Sequence, residues 1–107
     1  MTVKTLLQHG FSAVCLPDGD RAVTGAYVGD LLSWVMGRAP ADGAWITIMS
    51  NINVVAVAAL SDVSCVILAE GVQLPEDVVQ TAAEKQVNIL STNAPAYETA
   101  VALHELL

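Results

Sequence analysis

From Ala44 to Gly71 the chain reads A-W-I-T-I-M-S-N-I-N-V-V-A-V-A-A-L-S-D-V-S-C-V-I-L-A-E-G, a run in which apolar residues predominate and the polar ones fall at joints. The pattern predicts one βαβ unit: a strand at Trp45 to Met49, a Ser-Asn-Ile-Asn turn, an apolar helix at Asn53 to Leu60 and a strand at Ser64 to Ala69. The middle segment admits two readings. Val54, Val55 and Val57 are β-branched and would suit a strand. A helix is preferred because Asn51 and Asn53 are cap-type residues, three alanines favour helix, and Ser61-Asp62-Val63 lacks the glycine of a two-residue hairpin. Apolar on every side, such a helix needs cover from more than one direction.

Outside this run the periodicity is shorter but continuous. Upstream, a helix is expected over Thr2 to Gln8, with Gly10 near its end, and a strand over Phe11 to Leu16 that stops at the turn Pro17-Asp18-Gly19-Asp20. An extended segment follows from Arg21, where Gly25 and Gly29 leave room for a bulge or a close backbone approach. Asp30 is then expected to cap a helix over Leu31 to Met36, with Leu31, Leu32, Val35 and Met36 inward, Trp34 outward and Gly37 as the stop. Downstream, Pro75-Glu76-Asp77 opens a helix whose inner side is Val78, Val79 and Ala82, and Val87 to Leu90 is a short buried strand. Ser91-Thr92-Asn93 precede a last helix near Pro95, with Ala96, Ala100, Leu103 and Leu107 in one stripe widened by Tyr97 and Val101. Strands alternating with helices over short connections indicate a mostly parallel sheet with right-handed crossovers and helices on both faces. Residues 1–107 are thus expected to form one three-layer α/β/α domain.

Composition adds an expectation about partners. Apolar residues make up 54% and charged residues 14% of the chain, so little polar surface is available to cover a monomer. A homodimer is therefore expected, with Trp34 at its interface, and a further protein partner is compatible with the same surface. The net charge is −7, and only Lys4, Arg21, Arg38 and Lys85 are fixed cations, which argues against nucleic acid and anionic membrane as partners. The opening residues lack the apolar segment of a secretory signal and no run is long enough to span a bilayer, so a cytoplasmic location is expected.

Candidate chemistry is sparse. No G-x-x-x-x-G-K-[ST] occurs, His9 and His104 lack a third ligand at zinc spacing, and the residues after Asp18 and Asp20 do not continue a calcium loop. Cys15 and Cys65 are too few for an iron–sulfur cluster and sit in apolar runs, where a buried thiol is the ordinary reading. No catalytic residue, metal or cofactor is expected. Polar residues do follow the strands, namely Ser50, Asn51, Asn53, Glu70, Ser91, Thr92 and Asn93, and would gather at the carboxyl edge of a parallel sheet, where open α/β sheets bind ligands. Two roles are open to them: capping helices, or holding a small anion or nucleotide near helix N-termini.

The succession of apolar strand, turn, apolar helix, V-I-L-A-E-G-V-Q-L-P and then V-N-I-L-S-T-N-A-P-A-Y-E-T-A resembles the DRTGG domain, over about Asn51 to Leu107. That family is found as a module in bacterial phosphotransacetylases, is similar to the N-terminal domain of HPr kinase/phosphorylase, and has stand-alone versions near iron-hydrogenase genes. Ala69-Glu70-Gly71 stands where the family has T-G-G, no Asp-Arg pair stands at Asn51 to Asn53, and Gly71 is the residue of the namesake motif that carries over. Gly71 therefore joins the candidate ligand residues. The resemblance implies a domain like the HPr kinase N-terminal domain, without kinase activity. It further implies a non-catalytic regulatory or protein-interaction module associated with iron-hydrogenase or phosphotransfer regulation. A sensor of small ligands is the alternative.

Overall fold

The structure, a computed structural model, describes all 107 residues. A five-stranded sheet in the order β1-β5-β4-β3-β2 forms its centre, built from β1 (Ser12–Cys15), β2 (Gly25–Val28), β3 (Gly43–Thr47), β4 (Cys65–Leu68) and β5 (Ile89–Ser91). Strands β2 to β5 are parallel, each beside its successor in sequence, and β1 joins β5 antiparallel. Helices α1 (Leu32–Arg38), α2 (Asn53–Ser61) and α3 (Glu76–Glu84) connect the parallel strands, and α4 (Ala96–Leu106) ends the chain.

Alternation along the strands divides the core in two. Trp45, Val66, Leu68 and Ile89 point to the face covered by α1, α2 and α3. Ala44, Ile46, Cys65, Ile67 and Leu90 point to the other, covered by α4 and by a 3₁₀ helix over Val3–His9. This is the three-layer arrangement that the alternation of elements predicts, and the apolar run at its middle supplies the two central strands. Residues 53–61 are helical, as preferred, and α2 stands between α1 and α3, which cover its flanks. Val54, Val55, Val57 and Ala58 are buried, leaving Leu60 as its one strongly exposed large side chain within the helix. The cover that an all-apolar helix requires thus comes from within the chain.

The expected opening helix is present as a 3₁₀ helix and ends on Gly10 at φ +92°, a conformation that glycine adopts without a Cβ clash. Two local expectations are corrected. Asp30 does not cap α1, because its carboxylate accepts the Thr47 hydroxyl (2.7 Å) and the Ile48 N–H (3.0 Å) instead. The inward side of α1 is Val35 with Leu32, whereas Leu31 and Met36 are 56% and 50% exposed; Leu31 precedes the helix and Met36 lies one residue round from Val35.

Cys15 and Cys65 are both free and buried, and they belong to the two opposite layers of core. Burial raises the pKa of Cys15 and pushes that of Cys65 up to about 12, so both are held as neutral thiols.

Candidate functional site

The loops after β4 and β5 meet at the carboxyl edge of the sheet. Thr92 N–H donates to Leu68 C=O (2.9 Å), Gly71 N–H to Thr92 C=O (3.0 Å) and Glu70 N–H to Ala94 C=O (2.9 Å), zipping the two loops together. Glu70 and Gly71 both take left-handed backbone, at φ +62° and +71°. A Cβ on Gly71 would also lie 3.2 Å from Asn93 Oδ1. Beside this zipper is a polar pocket of about 140 Å³, walled by Gly71, Val72, Gln73, Ser91, Thr92 and Asn93, with Gly10 from the end of the 3₁₀ helix and Ser12 from the start of β1.

The expected ligand residues are therefore split. Gly71, Ser91, Thr92 and Asn93 line one pocket. Glu70 is adjacent to it in sequence but turns to α4, where its carboxylate accepts the Ala96 N–H at 3.0 Å. Ser50 and Asn51 lie on the loop before α2 and Asn53 is the first residue of α2, all outside this pocket; there Asn51 Oδ1 accepts the Asn53 N–H (3.0 Å), which is capping work. Gly10, Ser12, Val72 and Gln73 are pocket residues that the sequence does not mark as ligand candidates. Ser12 arrives on the antiparallel edge strand and Gly10 on the turn just before it, a pairing that no local pattern signals.

No cation lines this pocket. Arg21 is held at the opposite edge of the sheet, where it pairs with Asp42 (3.0 Å) and Asp62 (2.7 Å). Partial burial works against its charge, but the hydrogen bonds and charges of those two carboxylates raise its pKa overall. Asn88 and Ser64 sit at that same edge. The buried Asn88 side chain accepts the Asp18 N–H (2.9 Å) and donates to Asp18 C=O (2.7 Å) and Ser64 C=O (2.9 Å), while the Ser64 hydroxyl donates to Ala22 C=O. No three His, Cys, Asp or Glu side chains converge anywhere in the fold.

A second, larger depression lies on the face covered by α4. It is an apolar groove of about 570 Å³ between β2 and α4, floored by Ile46 and walled by Ala26 and Val28 on one side and Tyr97, Val101 and Leu107 on the other. Here the last helix departs from expectation. Thr99 and Leu103 are its buried residues, while Tyr97 (76% exposed), Val101 and Leu107 overhang the sheet. The signal was present in the sequence, as an apolar stripe too wide for one line of contact. Trp34, on the opposite face, is half exposed, and the Arg38 guanidinium stacks on its ring at 3.8 Å.

A family model for the DRTGG domain matches residues 32–106, from α1 through α4. The chain belongs to the DRTGG domain family. No curated protein matches this DRTGG domain in sequence. In fold it is similar to the CBS and DRTGG domains of the regulatory region of a Clostridium perfringens pyrophosphatase, a structure solved in complex with its activator, diadenosine tetraphosphate. The TM-score is 0.71 at 11% identity, covering 92% of this chain and 44% of that one. The chain thus spans less than half the length of that neighbour. Glu70, which replaces the first glycine of T-G-G, keeps the left-handed backbone of a glycine position, and its carboxylate caps α4.

Proposed function

We propose that this DRTGG domain is a cytoplasmic, non-catalytic regulatory module that works by contact with another protein surface. The observation that carries this reading is the groove between β2 and α4, which leaves Val28, Tyr97, Val101 and Leu107 in water on one continuous surface. Exposed apolar area of this kind marks interaction sites. The neighbour's description as a regulatory region supports the regulatory part of the reading, and the family resemblance suggests iron-hydrogenase or phosphotransfer machinery as what is regulated. Self-association belongs to the same reading. A photo-crosslinking residue at position 97, introduced in the native cell, is expected to yield protein adducts, whereas the same residue at Glu84, exposed on α3, is not. Equal or absent crosslinking at the two positions would overturn the reading.

A second reading, a sensor of small ligands, is favoured by the polar pocket at Gly71, Ser91, Thr92 and Asn93, where the Thr92 hydroxyl accepts the Ala94 N–H while the Ser91 hydroxyl and the Asn93 amide face the open pocket. The nucleotide activator of the structural neighbour lends it support. The pocket's lack of cations suits an uncharged, hydrogen-bonding group better than a phosphate.

A further inference from the structure

We infer that the occupant of the β2–α4 surface is a second copy of this chain, with β2 pairing antiparallel to its counterpart across a two-fold axis so that the two sheets become one. This rests on the contact-surface reading above and adds the partner.

The argument begins with the two edges of the sheet. An edge strand presents unpaired N–H and C=O groups and invites another strand unless it is bulged, charged, broken by proline or covered. At the β1 edge the pairing is interrupted by a register shift between Ala13 and Cys15. Each edge strand has a helix packed against it, α3 on β1 and α4 on β2, but the β2 edge has neither bulge, charge nor proline to block a further strand. Gly25-Ala26-Tyr27-Val28 pairs with β3 residue for residue, carries no charge and no proline, and exposes Ala26 and Val28. Those two residues are also one wall of the groove, so the open strand edge and the apolar groove are a single surface.

Charge selects the partner. The chain carries eleven Asp and Glu residues, and of these Glu105 alone lines the groove, beside His104. Two copies with a net charge of −7 each can therefore meet here without opposing their acidic surfaces, which a strongly charged face would prevent. The polar residues of the groove include His104 and Glu105, a donor and an acceptor side by side, so a two-fold axis brings a surface with both kinds of group against its own copy. Val28, Tyr97, Val101 and Leu107 leave on the order of 400 Å² of side chain in water, within the size range of patches that mark interfaces. The groove walls and the strand edge extend this toward the ~800 Å² per partner of a standard interface.

Sedimentation equilibrium of the purified chain at micromolar concentration is expected to give twice the 11.2 kDa chain mass. Val28→Lys places a charge on the open edge at a half-exposed position and is expected to weaken the dimer at least ~10-fold, as is Tyr97→Glu. Leu60→Lys, on α2 at the opposite face, is expected to leave it intact. Amide hydrogen exchange over Gly25–Val28 is expected to slow as concentration rises. A monomer at every concentration, a dimer insensitive to both Val28→Lys and Tyr97→Glu, or protection that appears elsewhere would each overturn the inference. Should position 97 crosslink to a different protein while the isolated chain is monomeric, the contact-surface reading stands and self-pairing falls.

Discussion

The two ends of the parallel sheet are built differently. Where β2 to β5 begin, Arg21, Asp42, Asp62, Ser64 and Asn88 bond one another or the backbone, and Asp42 and Asp62 accept left-handed backbone to do so. The exception is Ser61, whose hydroxyl is buried without a partner. Where the strands finish, Asp30, Glu70 and Thr92 tie the loops, yet the side chains of Ser12, Gln73, Ser91 and Asn93 face an open pocket. One end spends its polar groups on the fold. The other keeps several free, and free polar groups beside a preformed cavity are what a ligand needs.

The contrast can be broken most directly at Asn88. Asn88→Ala removes a buried side chain with three hydrogen bonds and leaves Asp18 and Ser64 backbone groups unmatched, so urea denaturation should show a loss of about 3 kcal/mol. A loss below about 1 kcal/mol would mean that the beginning end is not held as described. Glu70 sharpens the comparison at the finishing end. Glu70→Ala deletes the cap on α4 and keeps the left-handed strain, for an expected cost of about 1 kcal/mol. Glu70→Gly loses the same cap but relieves a strain of about 1 kcal/mol, so it should be nearly neutral. Equal costs for the two would remove the account of why a glutamate stands there. The smallest effect belongs to the pocket: Ser12→Ala and Ser91→Ala should each shift stability by less than about 0.5 kcal/mol, since neither hydroxyl serves the fold. A larger loss from either would make the pocket wall part of the scaffold.

Much of the fold was legible because it is written in short-range patterns. The alternation around Ala44 to Gly71 specified two central strands and the helix between them, and Pro75-Glu76-Asp77 marked the start of α3. The family was legible too, in the order of these segments. What was not legible depends on partners distant in sequence. Asp30 looks like a cap from its neighbours, but Thr47 and Ile48 claim its carboxylate. Seven polar residues after the strands looked like one cluster; only those after β5, with Gly71, share a pocket, since the β3 loop turns its asparagines to α2. Arg21 and Asn88 gave no local sign of their roles, because each is defined by loops that come together only when the sheet is complete.

That dependence has a consequence for how the domain is made. Strands β2 to β5 stand beside one another in the order in which a ribosome delivers them, so each can join a neighbour that already exists. β1 is delivered before all of them and has no neighbour until β5 emerges, and the Asp18–Asn88 bonds beside that junction close 70 positions of chain. Contacts of such long separation form late, after the entropy of closing the chain has been met. The nascent domain therefore carries its opening strand unpaired through most of synthesis, and the side of the sheet that bears Leu90 and Ile67 has only the 3₁₀ helix of Val3–His9 to cover it until α4 follows.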